Sequence, residues 1–152
     1  MLKNLKPKQV FHYFEELTAI PRCSGNEKQV SDYLVNFAKE RKLKVYQDKA
    51  LNVIIKKPGT AGYEKSAAVI IQGHMDMVCG KSEKSSHNFA KDPISLKIDG
   101  DFLRASGTTL GADNGIGVAY GLAILDSKDI PTHQSSCSSQ PMKRPECMEL
   151  LH

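Results

Sequence analysis

The chain has 152 residues, 40% hydrophobic and 25% charged, the composition of a globular protein with one ordinary core and not of a disordered one. Its 21 Lys and Arg against 17 Asp and Glu leave a net charge of +4, spread along the chain, which offers no basic stripe for nucleic acid. Residues 1–7 lack the apolar stretch of a secretion signal and no later stretch approaches the ~20 apolar residues of a membrane span, so a cytoplasmic protein without a membrane partner is expected.

Val10, Phe11, Phe14 and Leu17 fall at helical spacing before Ile20-Pro21, which predicts a first helix over 7–19. Ser24 with Glu27 has the form of a capping box, and Val30, Tyr33, Leu34, Phe37 and Ala38 mark one face of a second helix running to about Lys42. The period then changes. Residues 44–48, 52–57 and 67–72 are short and rich in β-branched side chains, with a Pro58-Gly59 turn between the last two. The run 67–71 is apolar throughout, as in a strand buried on both faces. Residues 81–88 read as a polar surface loop, and 95–104 as a hairpin turning at Asp99-Gly100. Small and apolar residues over 114–125 predict a closely packed third helix.

Helices alternating with apolar strands predict an α/β fold, a mainly parallel sheet with helices on both faces. After Ile130-Pro131 the periodicity stops, so two regions are expected: a folded part over 1–131 and an aberrant, disordered tail over 132–152. The four cysteines, Cys23, Cys79, Cys137 and Cys147, show no CxxC spacing and are expected to be reduced thiols in that compartment.

Two segments carry chemistry. In Gly73-His74-Met75-Asp76 at the end of the apolar strand, residues two apart project to one side, beyond the C-terminal edge where open α/β sheets place their sites. A ligating imidazole commonly gives its second N–H to a carboxylate, so His74 and Asp76 suit a metal ligand and its orienting partner. An ordinary hydrogen-bonded pair in a loop fits the same two residues. In the second segment, Gly111-Ala112-Asp113-Asn114-Gly115-Ile116-Gly117, glycines flank one carboxylate that could reach the same cleft. Asp113 or Asn114 as a helix N-cap is the competing reading. A dinucleotide loop fails for want of the third glycine. Met75, Met77 and Val78 read as packing, and His12, His87, His133 and His152 as solvated or structural.

Three segments taken together, IPRCSGNEKQVSDYL, VIIQGHMDMV and LGADNGIGVAYGLAIL, in this order and spacing, resemble the aminoacyl-histidine dipeptidases, also called cytosol nonspecific dipeptidases, among the zinc metallopeptidases that include carnosinase and the aminoacylases. The likeness spans 5–131. It implies His74 as a ligand of one zinc, Asp76 as the catalytic residue orienting it, Asp113 as the carboxylate bridging two zincs, and a cis peptide between Asp113 and Asn114. The implied reaction is dipeptide hydrolysis with two zinc ions, cobalt or manganese being alternatives, in a parent that dimerises through a lid domain. The family also needs a Glu-Glu pair, a further Asp and a further His, none of which matches a position here, so the catalytic domain is expected to be truncated and this chain inactive. The alternative is a non-catalytic fragment that acts only as a weak metal- or partner-binding module. With suitable codons, residues 134–150 read from a neighbouring frame give KLLFITADEETGMYGA, a strand followed by the missing Glu-Glu, so a frameshift is the expected origin of the tail.

Overall fold

Pro7 opens the first helix, where its fixed φ suits a helix start and its missing N–H is not needed. Helix α1 spans Lys8–Thr18 and buries Val10, Phe14 and Leu17, as the spacing predicts, together with Tyr13, while Phe11 is half-buried. Helix α2 spans Lys28–Glu40 and buries Val30, Leu34, Phe37 and Ala38. The expected capping box does not form: Glu27 is itself the N-cap residue, its carboxylate accepting the Gly25 N–H at 2.6 Å, and the Ser24 hydroxyl is engaged elsewhere.

Strands β1 (Lys44–Gln47) and β2 (Val53–Lys57) form an antiparallel pair, joined by a turn in which Asp48 Oδ1 accepts the Asn52 N–H at 2.8 Å. Strand β3 is Val69–His74. A separate hairpin pairs β4 (Leu96–Asp99) with β5 (Phe102–Ala105), and Gly100 at the turn takes φ +59°, a value that favours glycine. Helix α3 spans Ala112–Asp126, with non-helical backbone at Asp113 and Asn114, and β6 is Ser135–Gln140. The structure, a computed structural model, describes residues 1–133 and 135–140; His152, Cys147 and the rest of 141–152 lie outside the described residues.

The main sheet has the order β1-β2-β6-β3. Its register aligns Val45, Ile55, Cys137 and Ile71 in one row. Both α2 and α3 lie on the face carrying that row. Gln47 on this face reaches Ser31 of α2 at 2.7 Å, and Gly121 of α3 approaches so closely that a Cβ there would meet Cys137 Sγ at 2.6 Å. Lys57, only 9% exposed, donates from Nζ to the Ile124 carbonyl at 2.9 Å and to the Ser127 carbonyl, capping the C-terminal end of α3 where a cation suits the helix dipole. Helix α1 packs on α3, and Asp126 accepts from Tyr13 of α1 at 2.7 Å and from Arg41, just after α2, at 2.6 Å.

The α/β class holds, with corrections of detail. The sheet is mixed: β3 and β6 are parallel, whereas β1–β2 and β2–β6 are antiparallel. Among the described residues the helices cover one face and not two. Ile70 of the apolar run and Tyr46, both on the open face, are accordingly 45% and 58% exposed. The expectation of a tail without order does not hold for Ser135–Gln140, whose backbone pairs on both sides in the middle of the sheet. Serine is a poor strand former, so the position is set by the ladder on either side and leaves no periodic signal in sequence.

The cysteine reading is corrected too. Cys23 and Cys79 form a disulfide, with Cα atoms 5.6 Å apart. Residues 22–24 run alongside 76–77, with a parallel bridge between Cys23 and Met77, and this brings together cysteines separated by 56 positions. Cys137 is a free buried thiol whose pKa burial pushes up to about 11. Closing a loop of 56 residues restricts the unfolded chain by about 4 kcal/mol. Reduction, or the double variant Cys23→Ser/Cys79→Ser, is expected to lower the unfolding free energy by about 2–4 kcal/mol in denaturant titration. An unchanged midpoint in the reduced chain would contradict this.

Candidate functional site

His74 is the last residue of β3, and the extended backbone beyond it puts Asp76 on the same side. Its Nδ1 lies 2.9 Å from Asp76 Oδ1, and its Nε2 lies 3.0 Å from Asp113 Oδ1 at the start of α3. All three residues named from sequence therefore share one place. Exposure grades across them: the Asp76 side chain is 8% exposed, His74 15% and Asp113 84%. The peptide between Asp113 and Asn114 is cis, as the family resemblance implies.

This arrangement has a chemical consequence. A neutral imidazole carries one N–H, so it can donate to one of the two carboxylates it lies between and presents a bare lone pair to the other. The second contact then needs another positive centre, either a second ring proton or a cation. Because Asp76 is the more buried partner, it fixes the Nδ1–H tautomer and leaves Nε2 facing Asp113 and solvent. An imidazole nitrogen beside a carboxylate is a donor set suited to zinc, cobalt or manganese. It is also incomplete: among the described residues no group of three or more His, Cys, Asp or Glu side chains could hold a metal ion.

Two residues that the sequence reading did not place at the site complete the surroundings. Ser24 donates its hydroxyl to Asp76 Oδ2 at 2.5 Å, so both Asp76 oxygens are engaged. Arg22 is 2% exposed and runs beneath the site, with Nη1 donating to the Met75 carbonyl at 3.1 Å and to the Asp76 carbonyl at 3.4 Å, and Nη2 to the Gly111 carbonyl at 2.6 Å. Burial pushes its pKa down to about 10, against the nearby charge of Asp76, so it remains a cation near neutral pH. Met75 and Met77 are buried packing residues at 1% and 2% exposure, whereas Val78 is 78% exposed and packs little. The other described histidines stand apart: His12 faces Glu16 one turn along α1, His87 packs on Phe89, and His133 on Tyr63.

Glycines on β3 and α3 make room for the Asn114 side chain. Gly73 faces the Asn114 side chain, which a Cβ would meet at 3.2 Å, and on the other side a Cβ at Gly117 would lie 2.1 Å from Asn114 Oδ1.

No protein-family model matches the chain. It is 43% identical over 129 residues to the cytosol non-specific dipeptidase of Escherichia coli, a match covering 85% of this chain and 27% of that protein. Its structure superposes on the crystal structure of an aminoacylhistidine dipeptidase from Vibrio alginolyticus with a TM-score of 0.92 at 39% identity, covering 96% of this chain and 30% of the other. A tripeptidase from Staphylococcus aureus and an aminopeptidase from Bacillus cereus each superpose with a TM-score of 0.68, at 22% and 19% identity, and share the fold. The resemblance read from the three motifs thus holds in sequence and in structure. The chain spans 27% of the length of the curated relative it matches. No helix among the described residues is long and apolar enough to cross a membrane.

Gly117→Ala is expected to force the Asn114 side chain out of its slot and to lower stability by about 1–3 kcal/mol, the usual cost of overpacking. Gly80→Ala, whose Cβ would make only an ordinary 3.4 Å contact with Thr109, is the control and should change the melting temperature little. Equal melting temperatures for the two variants would refute the tight slot around Asn114.

Proposed function

We propose that this chain forms the first part of a cytoplasmic metallo-dipeptidase whose whole protein hydrolyses Xaa-His and other dipeptides at a two-zinc site, cobalt or manganese being possible replacements. The observation that carries the reading is His74 held between Asp76 and Asp113, at 2.9 and 3.0 Å. Support comes also from the names of the similar proteins, a non-specific dipeptidase and an aminoacylhistidine dipeptidase.

In this reading His74 Nε2 and the exposed Asp113 carboxylate would be the donors that this chain offers to metal. Asp76 holds the Nδ1 proton of His74 and so keeps Nε2 free to coordinate. Ser24 donates to the other oxygen of Asp76 and fixes the carboxylate plane. When bound, the ions would supply an activated water and a polarised scissile carbonyl. The net reaction adds water across the peptide C–N bond and releases a carboxylate and an amine. Two donors fall short of the roughly four that each zinc takes, so the remaining ligands, a general base and a lid through which the parent dimerises belong to the rest of the protein.

The tail belongs to the same proposal, with 1–131 as the catalytic-domain part and 132–152 as its aberrant continuation. Strand β6 pairs in parallel with β3, with Gln140 opposite His74. A strand KLLFIT on the same path would end beside His74 and lead directly into the two glutamates of the neighbouring frame. Against this stands the second reading, a non-catalytic binding fragment, which the short donor set favours for the chain as it is.

The 152-residue chain is expected to bind zinc weakly and to show no measurable turnover of a histidine-containing dipeptide, since loss of a general base alone costs about 10²–10⁴-fold. Restoring the neighbouring frame and the sequence that follows it should give a zinc-dependent dipeptidase, inactivated by His74→Ala. DNA without that frame would remove the frameshift, and a restored protein without metal-dependent activity would remove the dipeptidase reading.

A further inference from the structure

Arg22 stands out as a buried cation that the chemistry above does not use. Its hydrogen bonds among the described residues go to main-chain carbonyls, and its Nε, also buried, has no partner there. The carbonyls come from two separate segments. Met75 and Asp76 follow His74, and Gly111 precedes Asp113, 35 positions further on than Asp76. The guanidinium therefore lies across the seam between the two halves of the site.

The surroundings are shaped to it. A Cβ at Gly111 would come within 2.5 Å of Nη2 and one at Gly115 within 2.6 Å, so both glycines leave room for the planar group. The main chain of Arg22 is anchored on the same strand end, its carbonyl accepting the Met77 N–H at 2.9 Å. The Cys23–Cys79 bond ties the next residue down.

We propose that Arg22 is a positioning residue of the site: by bonding the Met75 and Asp76 carbonyls and the Gly111 carbonyl together, it sets the spacing between His74 and Asp113 without touching either. The proposal deepens the metallopeptidase reading and rests on it for the meaning of that spacing. A fork with donors on two nitrogens can serve both segments at once, whereas the single ammonium of lysine is a point donor on a flexible stem. Lysine at this position keeps the charge and loses the span.

The test compares the wild-type chain with Arg22→Lys, Arg22→Met and Gly115→Ala, the last keeping the arginine and pushing its guanidinium away. Leu17→Ala, a core change that removes none of these hydrogen bonds, reports general destabilisation. Two quantities are read on each: hydrogen exchange at the Met77 and Gly115 amides, and the zinc dissociation constant by calorimetry. The three site variants are expected to exchange at least tenfold faster at both amides, with α2 unchanged, and to bind zinc at least tenfold more weakly. Leu17→Ala should shift the melting temperature but not the zinc affinity relative to wild type. Wild-type exchange at both amides in Arg22→Lys would overturn the proposal. Equal losses of zinc affinity in Leu17→Ala and the site variants would do the same. So would failure of all three site variants to fold, since Arg22 would then serve the core and not the site. If the wild-type chain binds no zinc, the metal reading fails alone and the exchange measurement still decides the role of Arg22.

Discussion

The site depends on how closely α3 lies over β3 and β6. Helices usually pack on sheets through a layer of side chains, but here glycine thins that layer at Gly73 and Gly121, where an added Cβ would meet Asn114 and Cys137. Asp113 is at the first turn of this helix, so its reach to His74 is fixed by the helix's height above the strands. Half of the site comes with the strand, half with the helix, and the missing side chains set the gap between them. The cost is entropic, since each glycine inside α3 weakens a helix by roughly 0.5–1 kcal/mol against alanine. Burial of Val118, Ala119 and Leu122 offsets it.

Most of the elements were legible because their signals are local. The apolar faces of α1 and α2, the β1–β2 and β4–β5 pairs and the small residues of α3 all follow from periods of two or 3.6 residues and from turn chemistry. His74 and Asp76 could be placed on one side because strand geometry alone does that. Asp113 was a candidate neighbour because the glycines around it allow close approach, although a helix N-cap fitted the same residue. The family resemblance then joined residues 39 positions apart that no local rule connects.

What was not legible shares a physical cause: it depends on which segments lie side by side. Ser24 satisfies the capping-box pattern, yet the Asp76 carboxylate competes for the same hydroxyl and wins, and the helix begins further on. Cys23 and Cys79 have no telling spacing, and they meet because 22–24 lies along 76–77. The apolar run in β3 states how greasy the strand is and not what covers it, and in the described residues its outer face is open. Arg22 looks like a surface residue in any window of sequence, and only the three converging carbonyls reveal why it is inside.

The disulfide also changes the topology of the covalent chain. It closes a ring running from Cys23 to Cys79 that contains α2, β1, β2, β3, His74 and Asp76. The most exposed stretch of that ring, residues 61–65, is where a protease would first find an accessible bond. A single cut there converts the ring into a line without releasing either piece. The helix and hairpin on one side stay bonded to the strand and site residues on the other, and the two separate only when the sulfur link is also broken.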